Sequence, residues 1–440
     1  MTLFLGVDVG SSSIKAATLD PEAGTIGPIR SRPFPDPQAG PPLHFEIEPA
    51  QVAARIRELI DELLPRPGDC AGLVMCSQMG GLLFIGPNGE FRSPYYSWRD
   101  QRVVEPHPSG RGSWYDVYAA RLNDADFRAV GRELRPGSTT TLLHWLCEKG
   151  QLPGSDAMPV TLTDGVQAHL CGAFPATDPT LALGTMNLES GAWHGPVFEA
   201  AGAGAFPHSR LQPFLEPMGR VRVGNASIPC YPAVGDHQAA LRGVGLEEGE
   251  LSINCSTGSQ VSQATRTLVL GDYQSRPFFG GRSLNTLTHL PAGRSLNVLL
   301  DLLLELPRAL GHEVRDPWDW IARESSAAPA EELDVDLSFF AGPMGDRGRI
   351  GNIRTDNLRV GPLFRAAFRN MAENYARCAV RISPARDWSA VLVSGGLPQK
   401  IPALREQIAS HFETACRFSS ETEETLAGLL SMAQEIASGE

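Results

Sequence analysis

"GVDVGSSSIKAATLD", residues 6–20, is the stretch on which the reading of this chain turns. The apolar run at 3–9 has the composition of a buried strand and stops at Gly10-Ser11-Ser12-Ser13, after which "IKAATLD" alternates as a returning strand does. Asp8 lies two residues before the turn and Lys15 two residues after it. Small residues at such a tip let backbone N–H groups come close to an anion, and hydroxyls add further donors. The pattern is not a Walker A loop, which needs GxxxxGK[ST] opening a helix, whereas here the chain turns back as a strand. Taken alone, the stretch is an ordinary β-hairpin.

It does not stand alone. "LSINCSTGSQVSQAT", 251–265, repeats the arrangement of apolar strand, Ser/Thr/Gly turn and polar-alternating strand a little past mid-chain. The match is one of pattern, and it suggests two related halves. After the first hairpin, 21–42 reads as a Pro/Gly-rich loop, and 49–64 places Val52, Ile56, Leu59, Ile60 and Leu63 at helical spacing. "LVMCSQMGG" follows as a buried strand entering a glycine turn; 137–172 reads as mostly helical and 182–235 as loops and short strands. In the second half, helices are expected at 363–382, 402–411 and 421–437, with a strand at "AVLVSGG". Strand–turn–strand followed by alternating helices and strands predicts two α/β domains, 1–243 and 244–440, facing a central cleft.

A length of 440 residues also favours two domains. A net charge of −12 argues against a nucleic-acid surface, and no apolar run is long enough to span a bilayer. The N-terminus lacks the marks of a signal peptide, so a cytoplasmic protein is expected. Eight scattered cysteines form no CxxC or Cys/His cluster and read as small buried hydrophobes.

Several segments, taken in order, resemble the motifs of the FGGY carbohydrate kinases, a branch of the actin/hexokinase/Hsp70-like ATPases. The opening stretch resembles that family's first phosphate loop, "SQMGG" (77–81) its "GQMHG", and "WRDQR" (98–102) its "WxDxR". "TDPTLA" (177–182) resembles "TDxSxA", and "GDHQAALRGVG" (235–245) the "GDNxAAxxGxG" that carries the catalytic aspartate. "NCSTGS" (254–259) resembles the second phosphate loop and "SGGLPQK" (394–400) the adenosine loop. "RPFFGGRSLN", "LTDGVQAHLCG" and "GPMGDRG…DNLRVGPL" lean toward the sedoheptulokinase-like branch. The resemblance implies ribonuclease H-like domains, the first binding sugar and the second ATP, and transfer of a phosphoryl group from ATP to a primary hydroxyl of a ketose of sedoheptulose, xylulose or ribulose type.

It also implies roles. Asp236 is the expected general base, kept ionised by the dipole of the helix it opens, and a weak base suffices because the hydroxyl loses its proton late. Without the family, Asp236 is simply a helix cap. Asp8 is expected to hold Mg²⁺ through water beside the phosphates; without the family it is a turn-initiating aspartate. Gly10, Ser11, Ser12, Ser13 and Lys15, with Ser256, Thr257 and Gly258, would form the phosphate cradle, and Gly395, Gly396 and Leu397 the adenosine loop. Trp98, Asp100 and Arg102, at i, i+2 and i+4, share one face of an extended segment and would meet sugar hydroxyls and C–H groups, with Gln78, Met79 and Gly80 lining the same pocket. Gly243–Gly245 is a candidate hinge.

Two departures stand out. Gly80 occupies the place of a histidine, and Leu397-Pro398 the place of Gly-Ala in the adenosine loop, where leucine would not take positive φ. They motivate an alternative, a non-catalytic sugar- or nucleotide-sensing protein derived from the kinase; another is a partner-activating ATPase of the same superfamily. The partners expected are a small sugar and ATP, with no nucleic acid and no membrane; a homodimer is allowed.

Overall fold

A computed structural model describes residues 3–64, 66–329 and 333–439. The chain divides into two compact units. The first comprises Met1–Gly245, Ser275–Gly281 and Glu423–Glu440; the second, Leu246–Gln274 and Arg282–Thr422. The chain therefore leaves the first unit two residues later than the sequence suggested, and it returns to that unit twice.

In the first unit the strands Leu3–Val9 and Ser13–Asp20 pair antiparallel, with Val9 opposite Ile14. Cys70–Ser77 lies parallel on the other side of Leu3–Val9. Thr25–Ile26 and Arg30–Pro33 extend the far edge, and Ala226–Cys230 and Val234–Gly235 both join Cys70–Ser77. The order is third, second, first, fourth, fifth. Burial of Leu5, Val7, Val9, Ile14 and Ala16 against Val52, Ile56, Leu59 and Ile60 of the helix Pro49–Leu63 explains both periodicities.

The second unit repeats that order, with Ser283–Leu290, Ser259–Thr265, Leu251–Cys255, Val391–Ser394 and Cys416–Phe418. Its first two strands are antiparallel and its last three parallel. The helix Val360–Ile382 buries Phe364, Phe368, Met371 and Tyr375 in the core beneath this sheet. Among the described residues no helix is long and apolar enough to cross a membrane.

Two expectations are corrected. The segment 21–42 contains strands, and 137–172 holds a strand, Met158–Val160, between the helices Thr139–Glu148 and Leu162–Cys171. Arg30–Pro33 is a polar edge strand whose Arg30 and Arg32 pair with Glu58 and Glu62 of the first long helix. Ion pairs of this kind leave no apolar alternation to read.

The C-terminal helix Glu424–Ser438 packs within the first unit on the helix Asp236–Gly243. The two backbones approach so closely that a Cβ on Gly428 would lie 2.0 Å from the Ala239 carbonyl oxygen, and one on Gly243 would lie 1.9 Å from that of Glu424. Gly243 is thus a packing residue inside its helix. Gly428→Val is expected to destabilise the first unit by about 2–4 kcal/mol, seen in calorimetry as a lower transition midpoint; an unchanged midpoint would contradict this packing.

Candidate active site

Three parallel strand ends build the first site. The register sets Asp8 beside Cys76, and Cys76 beside Val234; one step on, Val9, Ser77 and Gly235 align. Asp236 follows as the first residue of its helix, with Gly235 as the cap. Asp8 and Asp236 therefore emerge two strand spacings apart, roughly 10 Å, where the carboxyl ends of strands in an α/β sheet open a crevice for ligand.

The environment overturns the expectation that the helix dipole keeps Asp236 ionised. Its carboxylate accepts the His237 N–H at 2.7 Å, yet burial and, after it, the charge of Asp8 push its pKa up to about 7. Burial also raises Asp8, against hydrogen bonds donated by Thr425 Oγ1 (2.8 Å) and Cys76 Sγ (3.6 Å). The Cys76 thiol is pushed up well beyond its ordinary range by burial and by both aspartates. Two carboxylates held above their ordinary range by burial are an arrangement that a divalent cation relieves. Magnesium fits this donor set, because it takes one or two carboxylates and completes its shell with water and substrate phosphate.

Other side chains hold Asp236 in place. Asp178 accepts from Thr180 Oγ1 at 2.6 Å, and Thr180 Oγ1 accepts the Gly235 N–H at 3.0 Å. "TDPTLA" is thus a buttress for the helix start. Arg276, only 3% exposed, donates to the buried Glu133 and to His237 Nδ1 at 2.9 Å, and its charge favours the ionised form of Asp236. Since guanidinium can only donate, Nδ1 of His237 is an acceptor and the neutral ring carries its proton on Nε2; burial and Arg276 both depress the histidine's pKa. Sequence reasoning missed Arg276, Glu133 and His237. "RPFF" was visible, but nothing in its spacing says that Ser275–Gly281 rejoins the first unit.

Around the first turn, Gly10 N–H donates to the Ser13 carbonyl at 3.1 Å, leaving Ser11 and Ser12 at the tip. Lys15 is paired with Glu423 at 2.7 Å. Gln78 is buried and ties three parts together: its N–H donates to Val9, its Nε2 to the Gly10 carbonyl (3.4 Å), and its Oε1 accepts from the Trp98 indole (2.9 Å). Met79 packs on the first core. Gly80 has φ +81°, and its carbonyl accepts from the Tyr95 hydroxyl, so its backbone conformation favours glycine where the family has histidine.

The expected shared face of Trp98, Asp100 and Arg102 is not formed. The segment turns into a short 3₁₀ helix at Arg102–Val104, and Asp100 and Arg102 are 0% and 1% exposed. Asp100 accepts from Phe45 N–H and from three N–H groups of Arg102, which also reaches Glu46 and lies over the rings of Tyr96 and Trp145. With its lone pairs taken, Asp100 frames the loop, and the half-exposed Trp98 is the member left to face a ligand.

In the second unit, Cys255 pairs with Ser259, leaving Ser256, Thr257 and Gly258 exposed at the tip. Gly293 and Arg294, opening the helix Gly293–Ala309, donate to the carbonyls of Ser256 and Thr257 at 3.2 and 2.8 Å. Asn254 links this turn to Ser394 at 3.1 Å. Gly395 has φ +92°, and a Cβ there would lie 2.3 Å from the Cys255 carbonyl oxygen. Gly396 and Leu397 are helical, within Gly396–Lys400. The expected strain at Leu397 is absent, because the positive φ falls on Gly395 alone.

Asp236 binds its proton more tightly in the folded chain than in the unfolded one, so its contribution to stability is full at low pH and is lost as pH rises through about 7. The ligand-free protein is expected to melt at lower temperature at about pH 8 than at about pH 5.5. Asp236→Asn, isosteric with the protonated form, should raise the midpoint at the higher pH and flatten the slope; a slope unaltered by the substitution would show that Asp236 titrates normally.

No family model matches the chain. Mouse sedoheptulokinase is 22% identical over 98% of this chain and 97% of its own length, and human sedoheptulokinase is 22% identical over 97% and 96%. Gluconate kinase from Lactobacillus acidophilus shares the fold at TM-score 0.85 and 17% identity, covering 100% of this chain and 90% of that one. Plasmodium falciparum glycerol kinase with ADP does so at 0.82 and 15%, covering 99% and 90%. Two repeated sheets of one strand order and full-length likeness to sugar kinases show that the chain has the fold of these kinases.

Proposed function

We propose that this kinase transfers the terminal phosphoryl group of ATP to a primary hydroxyl of a ketose with five to seven carbons, sedoheptulose being favoured by the relatives it matches. The observation that carries this reading is the part-buried pair Asp8 and Asp236, at strand ends either side of Cys70–Ser77. We assign the sugar and the cation to the first unit and the nucleotide to the second.

Asp236 is the general base in this reading. Its carboxylate accepts the proton as the sugar oxygen attacks the terminal phosphorus, and the bond to the departing ADP oxygen breaks. A base with pKa near neutrality holds that proton better than an ordinary aspartate and still ionises at working pH. Asp8, through water, is the residue that would hold Mg²⁺, which supplies charge neutralisation for the phosphates. Gly10, Ser11, Ser12 and Ser13 contribute donors to the phosphates, as do Ser256, Thr257 and Gly258; Gly395, Gly396 and Leu397 form the floor for adenosine. Lys15, held by Glu423, acts on phosphate through its charge alone.

Trp98 offers its indole face to the C–H side of the sugar, held by Gln78. Asp100 and Arg102 are positioning residues, and the absence of a side chain at Gly80 leaves room beside Trp98 for a longer ketose. A sensing protein without catalysis would have no use for two part-buried carboxylates held above their ordinary range by burial, and this disfavours the alternative.

A coupled ADP-release assay across five- to seven-carbon ketoses and polyols tests the substrate. Sedoheptulose should give the highest kcat/KM. Asp236→Ala should lower kcat by about 10³-fold or more while nucleotide binding, followed by calorimetry, is retained. Undiminished turnover in that variant would remove the assignment of the base.

A further inference from the structure

The helix Leu162–Cys171 in the first unit ends on a half-buried cysteine, and the strand Ala226–Cys230 ends on a wholly buried one. Gly219 stands opposite Cys230 in the antiparallel partner strand Gly219–Val223. Opposite residues of such a pair point to one face, with Cβ positions about 5 Å apart. A Cβ on Gly219 would lie 2.9 Å from the Cys171 Cβ and 3.2 Å from its Sγ. The Cys171 thiol therefore fills the space that the missing side chain at Gly219 leaves, beside Cys230. Gln167, one turn earlier on the same helix face, reaches the Cys230 sulfur from its Nε2 at 3.5 Å. The Cys171 thiol and burial push the Cys230 thiol well above its ordinary range.

The same glutamine also holds the backbone beyond Cys230. Its Nε2 donates to the Tyr231 carbonyl at 2.7 Å, and its Oε1 accepts the Ala233 N–H at 2.9 Å. Those residues connect Cys230 to Val234–Gly235 and so to Asp236. One amide thus joins the helix to the connection leading into the site, and two sulfurs lie beside it. As apolar filler the pair would need neither a half-exposed member nor an amide donor on the other. A disulfide needs an S–S bond of about 2.05 Å and Cβ atoms about 3.8 Å apart, a small shift from this arrangement.

We infer that Cys171 and Cys230 are a dithiol–disulfide site, closed by a hydroperoxide and reopened by a dithiol, whose closure stiffens the connection from Tyr231 to Gly235. Cys171, the accessible member, is oxidised first. Its sulfur takes one oxygen of the peroxide, the O–O bond breaks, and the other oxygen leaves with a proton as water. The Cys230 sulfur then attacks the Cys171 sulfur, the S–O bond breaks, and a second water carries off the Cys230 proton. Two thiols and one hydrogen peroxide give one disulfide and two waters.

Intact-mass measurement on the reduced full chain, before and after hydrogen peroxide, tests the bond. The chain should lose about 2 Da, and a non-reducing digest should join the peptides that hold Cys171 and Cys230. Closing a loop of about 60 residues should raise the thermal midpoint by roughly 5 °C, and hydrogen exchange at the Tyr231 and Ala233 amides should slow by about tenfold. Dithiothreitol should reverse all three. Cys171→Ser, at a partly exposed position, should gain no cross-link and show one midpoint with and without peroxide. Peroxide that leaves both thiols reduced, or takes Cys171 to a sulfinic acid without a cross-link, overturns the inference. So does a bond that leaves the midpoint and the exchange unchanged, or a peroxide-dependent rise that survives in Cys171→Ser.

Discussion

Burial of Asp8 and Asp236 within one electrostatic neighbourhood is the constraint around which the first unit is organised. Burial raises the pKa of each carboxylate, and the charge of Asp8 further disfavours ionisation of Asp236. A protein selected only for stability would replace such a pair with apolar side chains. Here the pair is retained and surrounded by groups that partly offset its cost: the Thr425 hydroxyl on Asp8, the His237 N–H on Asp236, and the positive charge of Arg276. What remains uncompensated is the part that a cation and phosphates can use.

The fold makes this placement reproducible. Parallel register across Leu3–Val9, Cys70–Ser77 and Val234–Gly235 sets the lateral order of the two aspartates. The close approach of Gly428 to Ala239 fixes the helix that Asp236 begins. Thr180, itself held by Asp178, fixes the residue before it. The segment Ser275–Gly281 returns to the first unit and brings Arg276 to the same place.

Much of this was legible in the residues. The repeated strand, turn and strand are local patterns, and both occupy equivalent places in sheets of the same strand order. Long helices with apolar stripes lie within a few residues of where periodicity puts them. What escaped depends on distance in the chain. The ionisation of Asp236 is set by Asp8 and by burial, neither visible from a helix start. Asp100 and Arg102 suggested an open face until Phe45 and Glu46 were seen to consume their hydrogen-bonding capacity. Arg276 lay in a quoted motif, but its partners Glu133 and His237 are 143 and 39 residues away.

The ionisation of Asp236 is where the account is most directly open to measurement. Carboxyl ¹³C resonances of the aspartates, with Asp236 assigned through the asparagine variant, can be followed with pH in the free protein and with Mg²⁺ and a non-hydrolysable ATP analogue. The account predicts that Asp236 titrates near 7 in the free protein and moves toward the ordinary carboxylate range when the cation is bound. A free-protein value of about 4, unmoved by magnesium and nucleotide, would contradict it.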